Sequence, residues 1–350
     1  MNSKDQILAW ARPEIVALKP YASARSEFKL GEKQMILLDA NENPFDNGMN
    51  RYPDPMQLKL KKRLAEAKHL AIDQIFLGNG SDDVLNQLMI AFCAPGKDKA
   101  VLLPPTFGMY QVCANINGVE KIEVPLTDDF HLDIKAISEV QSKATKIIFI
   151  ANPNNPTGNC FALEDIRKII EEFDGLVVVD EAYVEFATDK SVISWINDYQ
   201  NLIVVQTFSK AQGLAGLRLG MAFAHSEIID LMNKVKAPYN INSLTQKEIL
   251  KRLEEQVLIQ QQVHRIKLEK EQLMLEFESI SFIEKVFPSD ANFFLIRMDD
   301  STQRYNELID RGIVVRDSSK NLNCANTLRI TVGTPDENNA LIIALRSMDK

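Results

Sequence analysis

The middle of the chain alternates short, unbroken apolar runs with stretches of helical apolar spacing, and this restricts the fold more than any other feature. Residues 101–103 (Val-Leu-Leu), 147–150 (Ile-Ile-Phe-Ile), 176–179 (Leu-Val-Val-Val), 202–205 and 221–224 read as buried strands. Between them, residues 84–92, 109–115 and 163–173 carry apolar side chains at helical intervals. Strands alternating with helices predict an α/β fold around a mainly parallel, doubly wound sheet. In such sheets ligands bind at the carboxyl ends of the strands, so chemistry is sought just after each run.

Pro238-Tyr239-Asn240 interrupts the pattern. Residues 243–279 then read as one long or broken helix, followed by apolar strands near 293–296, 313–315 and 328–330 and by helices near 303–311 and 336–348. The expected organisation is a large domain over residues 31–240 and a smaller α/β domain over 241–350. Residues 1–30 carry few strand signals and are expected to pack as an arm on the small domain or on a partner subunit.

Bulk properties narrow the function. A chain of 350 residues suits two domains. Its net charge of -8 disfavours phosphate backbones and anionic lipid, so neither nucleic acid nor membrane is an expected partner. The first 21 residues do not read as a secretory signal, and no apolar run approaches a membrane span. Cys93, Cys113, Cys160 and Cys324 are widely spaced, which suggests reduced thiols and a cytoplasmic location. The four histidines show no metal-ligand spacing, so no metal site is expected.

Four segments carry candidate chemistry. Gly78-Asn79-Gly80-Ser81-Asp82-Asp83 follows an apolar run and opens a helix. Glycines there let amides approach an anion, although Ser81 alone is also an ordinary N-cap. Asn152-Pro153-Asn154-Asn155-Pro156-Thr157-Gly158 follows the 147–150 strand and, taken alone, needs no more than a tight turn. Asp180-Glu181-Ala182-Tyr183 sets a carboxylate at a strand's carboxyl end, where a capping or ion-paired Asp is the plain alternative. Thr207-Phe208-Ser209-Lys210, with Arg218-Leu219-Gly220 beyond it, is the strongest signal. A lysine flanked by hydroxyls at a strand end suits a Schiff-base lysine beside an anion site, with Arg218 as a fixed cation.

In this order and spacing the four segments resemble the fold-type I pyridoxal-phosphate (PLP) aminotransferases of class I/II. The resemblance covers about residues 21–346. Within that group the chain is most similar to the histidinol-phosphate aminotransferase family. The residues that carry this are Leu37-Leu38-Asp39-Ala40-Asn41-Glu42-Asn43-Pro44, Asn50-Arg51-Tyr52-Pro53, Pro104-Pro105-Thr106-Phe107-Gly108-Met109-Tyr110, Val315-Arg316-Asp317 and Leu328-Arg329-Ile330-Thr331-Val332-Gly333. Two positions depart from the commonest pattern: Phe107, where Tyr is frequent, and Gln212, where an aromatic or aliphatic is usual.

The resemblance implies PLP as cofactor, held by Lys210. Asp180 would pair with the ring nitrogen, and Tyr183 and Asn155 would hydrogen-bond the ring's phenolic oxygen. Phe107 would stack on the ring, and Ser81, Asp82, Thr207, Ser209 and Arg218 would hold the phosphate. Lys210, Asp180 and Tyr183 are the expected catalytic residues. Tyr21, Asn43, Tyr52, Asn155, Arg316 and Arg329 are the expected substrate contacts. The implied reaction transfers an amino group between L-histidinol phosphate and 2-oxoglutarate, yielding glutamate, in histidine biosynthesis. A homodimer is implied too, with Tyr52 reaching the other subunit's site. An aromatic amino-acid aminotransferase and a threonine-phosphate decarboxylase would share most of these residues. A PLP-sensing regulator would need a DNA-binding segment, and no basic helix-turn-helix region precedes Tyr21.

Overall fold

A computed structural model describes residues 3–21 and 35–349. Seven strands form the central sheet: β1 (Ile75–Asn79), β2 (Lys99–Leu102), β3 (Glu120–Glu123), β4 (Thr145–Ala151), β5 (Leu176–Asp180), β6 (Leu202–Thr207) and β7 (Leu219–Ala224). Their spatial order is β1-β7-β6-β5-β4-β2-β3. Every neighbouring pair among β2 to β6 is parallel, and β7 runs antiparallel to both β6 and β1. This is the mainly parallel α/β sheet expected from the apolar runs.

The runs are unbroken because both faces are covered. Ile148, Ile150, Val177, Val179 and Val204 enter one buried layer. Their neighbours Ile147, Phe149, Leu176, Val178 and Val205 enter the opposite one. The period of two along each strand thus feeds two cores, and each such side chain contributes ~1.5–3 kcal/mol of apolar burial.

β7's reversed direction matters for the site. Its first residues lie opposite the last residues of its neighbours, with Asn79 facing Leu219 and Thr207 facing Gly220. Parallel pairing of β4 with β5 likewise sets Ala151 beside Asp180. The ends of β1, β4, β5 and β6 and the start of β7 therefore share one edge, where every motif singled out in this region converges.

A second sheet, ordered β10-β11-β9-β8, consists of β8 (Ile283–Val286), β9 (Phe293–Met298), β10 (Arg316–Asp317) and β11 (Thr327–Thr331). All its pairings are antiparallel. It packs on helices Gln256–Glu278 and Pro335–Met348 through Leu273, Phe277, Phe294, Leu328 and Leu345.

Several expectations need correction. The strand placed at 313–315 is only the pair Arg316–Asp317, and Val314 is exposed. β3 and β8 escaped notice because Glu-Lys-Ile-Glu and Ile-Glu-Lys-Val are charged edge strands, and charge on an edge blocks further pairing. The 243–279 stretch, by contrast, is as expected a broken helix, Ser243–Arg252 and Gln256–Glu278. Ile241 and Ile249 pack with Leu60 and Leu64 against the large sheet, so that layer continues past residue 240. The N-terminal helices Ser3–Trp10 and Pro13–Ala17 do not lie on the small domain. Ile7, Trp10 and Ile15 pack into the large sheet's layer with Ile228, Ile229 and Met232. Residues 22–30 of the expected arm lie outside the described residues. Among the described residues no helix is long and apolar enough to cross a membrane.

Candidate active site

The shared strand edge opens into a cleft of about 110 Å³. Its lining includes Ser81, Phe107, Asn155, Asp180, Tyr183 and Lys210. All ten residues expected to bind a cofactor line this one cleft: those six with Asp82, Thr207, Ser209 and Arg218.

One end is built to hold an anion. Helix Ser81–Phe92 starts at Gly80, whose φ of +84° suits glycine. A Cβ on Gly80 would lie 2.6 Å from Arg218 Nη2, and one on Gly220 would lie 2.2 Å from the Ser81 nitrogen. Glycines thus let β7 and the guanidinium close onto the helix start. Thr207 Oγ1 lies 3.0 Å from Ser209 Oγ and 3.2 Å from the Leu219 carbonyl, and it accepts the Ser209 amide at 3.1 Å. Arg218 donates to Asp82 Oδ2 at 3.3 Å. The Asp82 carboxylate therefore orients Arg218, and only its amide, in the first helical turn, suits an anion.

The other end is buried and acidic. Asp180 is 4% exposed at the end of β5. Its Oδ2 accepts the Tyr110 hydroxyl at 2.9 Å and its Oδ1 accepts the Ala182 amide at 3.1 Å. Burial raises its pKa to about 6, against the pull of those two hydrogen bonds. Tyr183 is also buried, with its pKa raised to about 12 by desolvation. The Lys210 Nζ lies 5.3 Å from the Tyr183 ring centroid. Desolvation within the cleft, then the Arg329 cation, lowers the pKa of the Lys210 amine.

The small domain delivers Arg329 on β11. Its Nη1 donates to Asn155 Oδ1 at 2.5 Å, and its guanidinium lies 5.3 Å from the Phe293 ring centroid. Burial, with Tyr183 opposing it and Arg316 reinforcing it, lowers the Arg329 pKa. Arg316 faces Arg329 directly across the β10–β11 pairing, with its side chain exposed.

This composition fits PLP. It offers one lysine amine, one buried carboxylate, an aromatic wall at Phe107, and hydroxyls, a helix start and an arginine at the anion end. Residues 33–345 match the family model for aminotransferase class I and II. The chain belongs to the class I and II aminotransferases.

Among relatives of this aminotransferase, a histidinol-phosphate aminotransferase of Christiangramia forsetii is 50% identical over 338 residues, covering 97% of each chain. The solved histidinol-phosphate aminotransferase from Clostridium acetobutylicum superposes with a TM-score of 0.79 at 24% identity, covering 86% of this chain and 91% of that one. The Sinorhizobium meliloti histidinol-phosphate aminotransferase, solved in complex with pyridoxal-5'-phosphate, superposes with a TM-score of 0.76 at 24% identity, covering 85% and 83%.

Of the six expected substrate contacts of the aminotransferase, Asn155 lines this cleft, Arg316 and Arg329 line a neighbouring groove, and the other three lie elsewhere. Asn43 and Tyr52 sit on an exposed segment, and Asn43 Oδ1 accepts the Phe45 amide at 3.0 Å. Tyr52 stacks on Tyr239 with centroids 4.5 Å apart, lining a separate surface cleft with Arg51 and Pro238. Tyr21 is 76% exposed. Sequence reasoning missed Tyr110, which lines the cleft and holds Asp180.

Proposed function

We propose that this aminotransferase binds PLP at Lys210 and transfers the amino group of L-histidinol phosphate to 2-oxoglutarate, producing imidazole acetol phosphate and glutamate in histidine biosynthesis. The observation that carries the substrate is the 50% identity, over 97% of each chain, with a histidinol-phosphate aminotransferase. The cleft supports the chemistry. Bound PLP supplies an electron sink for the bond broken at the substrate's Cα. Asp180 sets a buried negative charge against the ring nitrogen and keeps that nitrogen protonated. Desolvation in the cleft favours the neutral form of the Lys210 amine, the form able to take and return the Cα proton. Ser81, Thr207, Ser209 and Arg218 anchor the cofactor's phosphate, and Asn155 and Tyr183 address its phenolic oxygen.

Histidinol phosphate has no α-carboxylate, so its phosphate is the anion for Arg329, and Arg316 opposite offers a second planar fork. The carboxylate of glutamate would use Arg329 in the other half-reaction. The same reading takes the exposed segment bearing Asn43 and Tyr52 as the face that meets a second subunit of a cytoplasmic homodimer, with Tyr52 reaching the partner's cleft. Its exposed Phe45, Met49 and Tyr52 support this, since large apolar side chains gathered on one segment gain from being covered.

The deciding experiment is a substrate panel with 2-oxoglutarate: histidinol phosphate, histidinol, phenylalanine, tyrosine and aspartate. Histidinol phosphate should exceed the rest by at least tenfold in kcat/KM. Equal turnover of unphosphorylated histidinol would remove the phosphate-anchor argument and favour an aromatic substrate. Failure of glutamate to convert the bound cofactor to its pyridoxamine form would point to a decarboxylase.

A further inference from the structure

We propose that Tyr110 is a positioning residue of the reaction: its hydroxyl fixes the Asp180 carboxylate and holds it in the charged form that a protonated ring nitrogen requires. This rests on the reading that Asp180 faces that nitrogen.

Tyr110 is 0% exposed, a poor place for a hydroxyl without a partner. Its partner is Asp180 Oδ2, 2.9 Å away. The ring is fixed independently. It stacks on Phe149 with centroids 4.9 Å apart and planes 15° apart, and it meets Phe107 edge-on at 5.6 Å. The hydroxyl is therefore aimed by packing as well as by the bond it makes. The Ala182 amide takes the other carboxylate oxygen at 3.1 Å. One donor on each oxygen fixes the carboxylate plane, and each oxygen keeps a further lone pair for another donor.

The need for such a donor follows from burial. Asp180 lies where burial favours its neutral form, and a neutral carboxyl cannot stabilise a cation. Burial raises its pKa to about 6, and the Tyr110 hydrogen bond is the largest influence opposing that rise, ahead of Ala182. The remaining neighbours are mixed. Asp82, at the start of helix Ser81–Phe92, raises the pKa and Lys210, after β6, lowers it. Tyr183, following β5, stays neutral, since its own pKa is raised to about 12. Tyr110 also stays neutral across the working range, because burial and Asp180 push its pKa well above 10. It is thus a donor at every relevant pH.

The test uses Tyr110→Phe, which keeps the ring and both aromatic contacts. In the cofactor-free chain, the Asp180 carboxyl is titrated by isotope-edited infrared or carbon NMR spectroscopy, with Asp180→Asn assigning the signal. The midpoint should rise by about one pH unit in Tyr110→Phe. Site-specific 3-fluorotyrosine at position 110, a stronger donor in an equally folded chain, should move it down. A midpoint unmoved in both variants would overturn the proposal. PLP affinity is then measured from pH 5.5 to 9. The dissociation constant of Tyr110→Phe should exceed the parent's by about fivefold near pH 6 and approach it by pH 9. A loss of the same size at every pH would reduce Tyr110 to packing and overturn the proposal. If the carboxyl midpoint moves while PLP affinity does not follow it, the placement of Asp180 at the ring nitrogen falls instead, and the tuning of Asp180 by Tyr110 stands.

Discussion

Arg329 and Asn155, 174 residues apart in sequence, are joined by a hydrogen bond from the guanidinium Nη1 to the amide Oδ1. Arg329 stands on the small sheet and Asn155 in the turn after β4, so the bond ties the small sheet to a residue that lines the cleft. The residue proposed to bind the substrate's anion thus rests on a residue proposed to touch the cofactor. An anion arriving at Arg329 would be felt at Asn155 without any rearrangement of the large sheet.

Removing Arg329 should therefore damage both half-reactions. Arg329→Ala leaves a substrate anion without its charge-assisted partner, a loss on the order of 2–5 kcal/mol where the partner stays buried. Stopped-flow measurement of each half-reaction should show kcat/KM falling at least thirtyfold for histidinol phosphate and for glutamate alike. Arg316→Ala, at an exposed position, should cost histidinol phosphate more than glutamate, because a dianion uses the second fork. Equal losses for both substrates in Arg316→Ala would contradict that division.

Lys210→Ala should separate cofactor retention from turnover. The anion end, Asp180 and Phe107 remain, so PLP should still bind without a covalent link, and turnover should fall by several orders of magnitude. Borohydride reduction of the parent protein should fix a pyridoxyl group on Lys210. Label found by peptide mass spectrometry on another lysine would overturn the assignment.

The large sheet was legible because strands buried on both faces must be apolar throughout, as residues 147–150 and 176–179 are. The cofactor cleft was legible because its residues sit immediately after those strands, within four short motifs. What escaped had a physical reason. Tyr110 reads as an ordinary apolar residue of helix Met109–Ile116, and its hydroxyl partner lies 70 residues away in sequence. Arg218 was found, but its ion pair with Asp82 depends on β7 running backwards, which no local pattern announces. The two-residue β10 is too short to leave a periodicity.

The reading of Tyr52 can be tested by mixing subunits. Tyr52 is half exposed on a segment outside the Lys210 cleft, so in a single subunit it takes no part there. Lys210→Ala and Tyr52→Ala subunits, each of low activity alone, should form hybrids in which one composite site carries neither lesion. Up to a quarter of parent activity should return, roughly half the dimers being hybrids with one intact site each. No recovery after exchange verified by mass spectrometry would remove Tyr52 from the shared site.

Glu181, beside Asp180 but on the opposite face of β5's end, should make stability depend on pH. It is 0% exposed and accepts three bonds, from the Val192 amide at 2.6 Å, Ser191 Oγ at 2.8 Å and Gln206 Nε2 at 2.8 Å. Lys68 donates to Gln206 Oε1 at 2.7 Å and its charge favours the ionised form of Glu181. Burial outweighs these donors and raises the Glu181 pKa from 4.5 to about 7. Between those two pH values the folded chain binds a proton that the unfolded chain releases. The resulting stability is full below about pH 4.5 and lost as pH rises through about 7. At about 1.36 kcal/mol for each pH unit, that rise sets a ceiling of ~3 kcal/mol. Asp180, raised from 3.8 to about 6, acts in the same direction, so the parent alone cannot apportion the effect. Glu181→Gln removes one titration and leaves the other. Urea unfolding of the cofactor-free chains at pH 5, 6, 7 and 8 should show the parent losing stability as pH rises and the variant losing less, with the difference between them concentrated between pH 5 and 7. Parallel curves would mean that Glu181 keeps one protonation state throughout, and the neutral form would then have no part in holding β5 against β6.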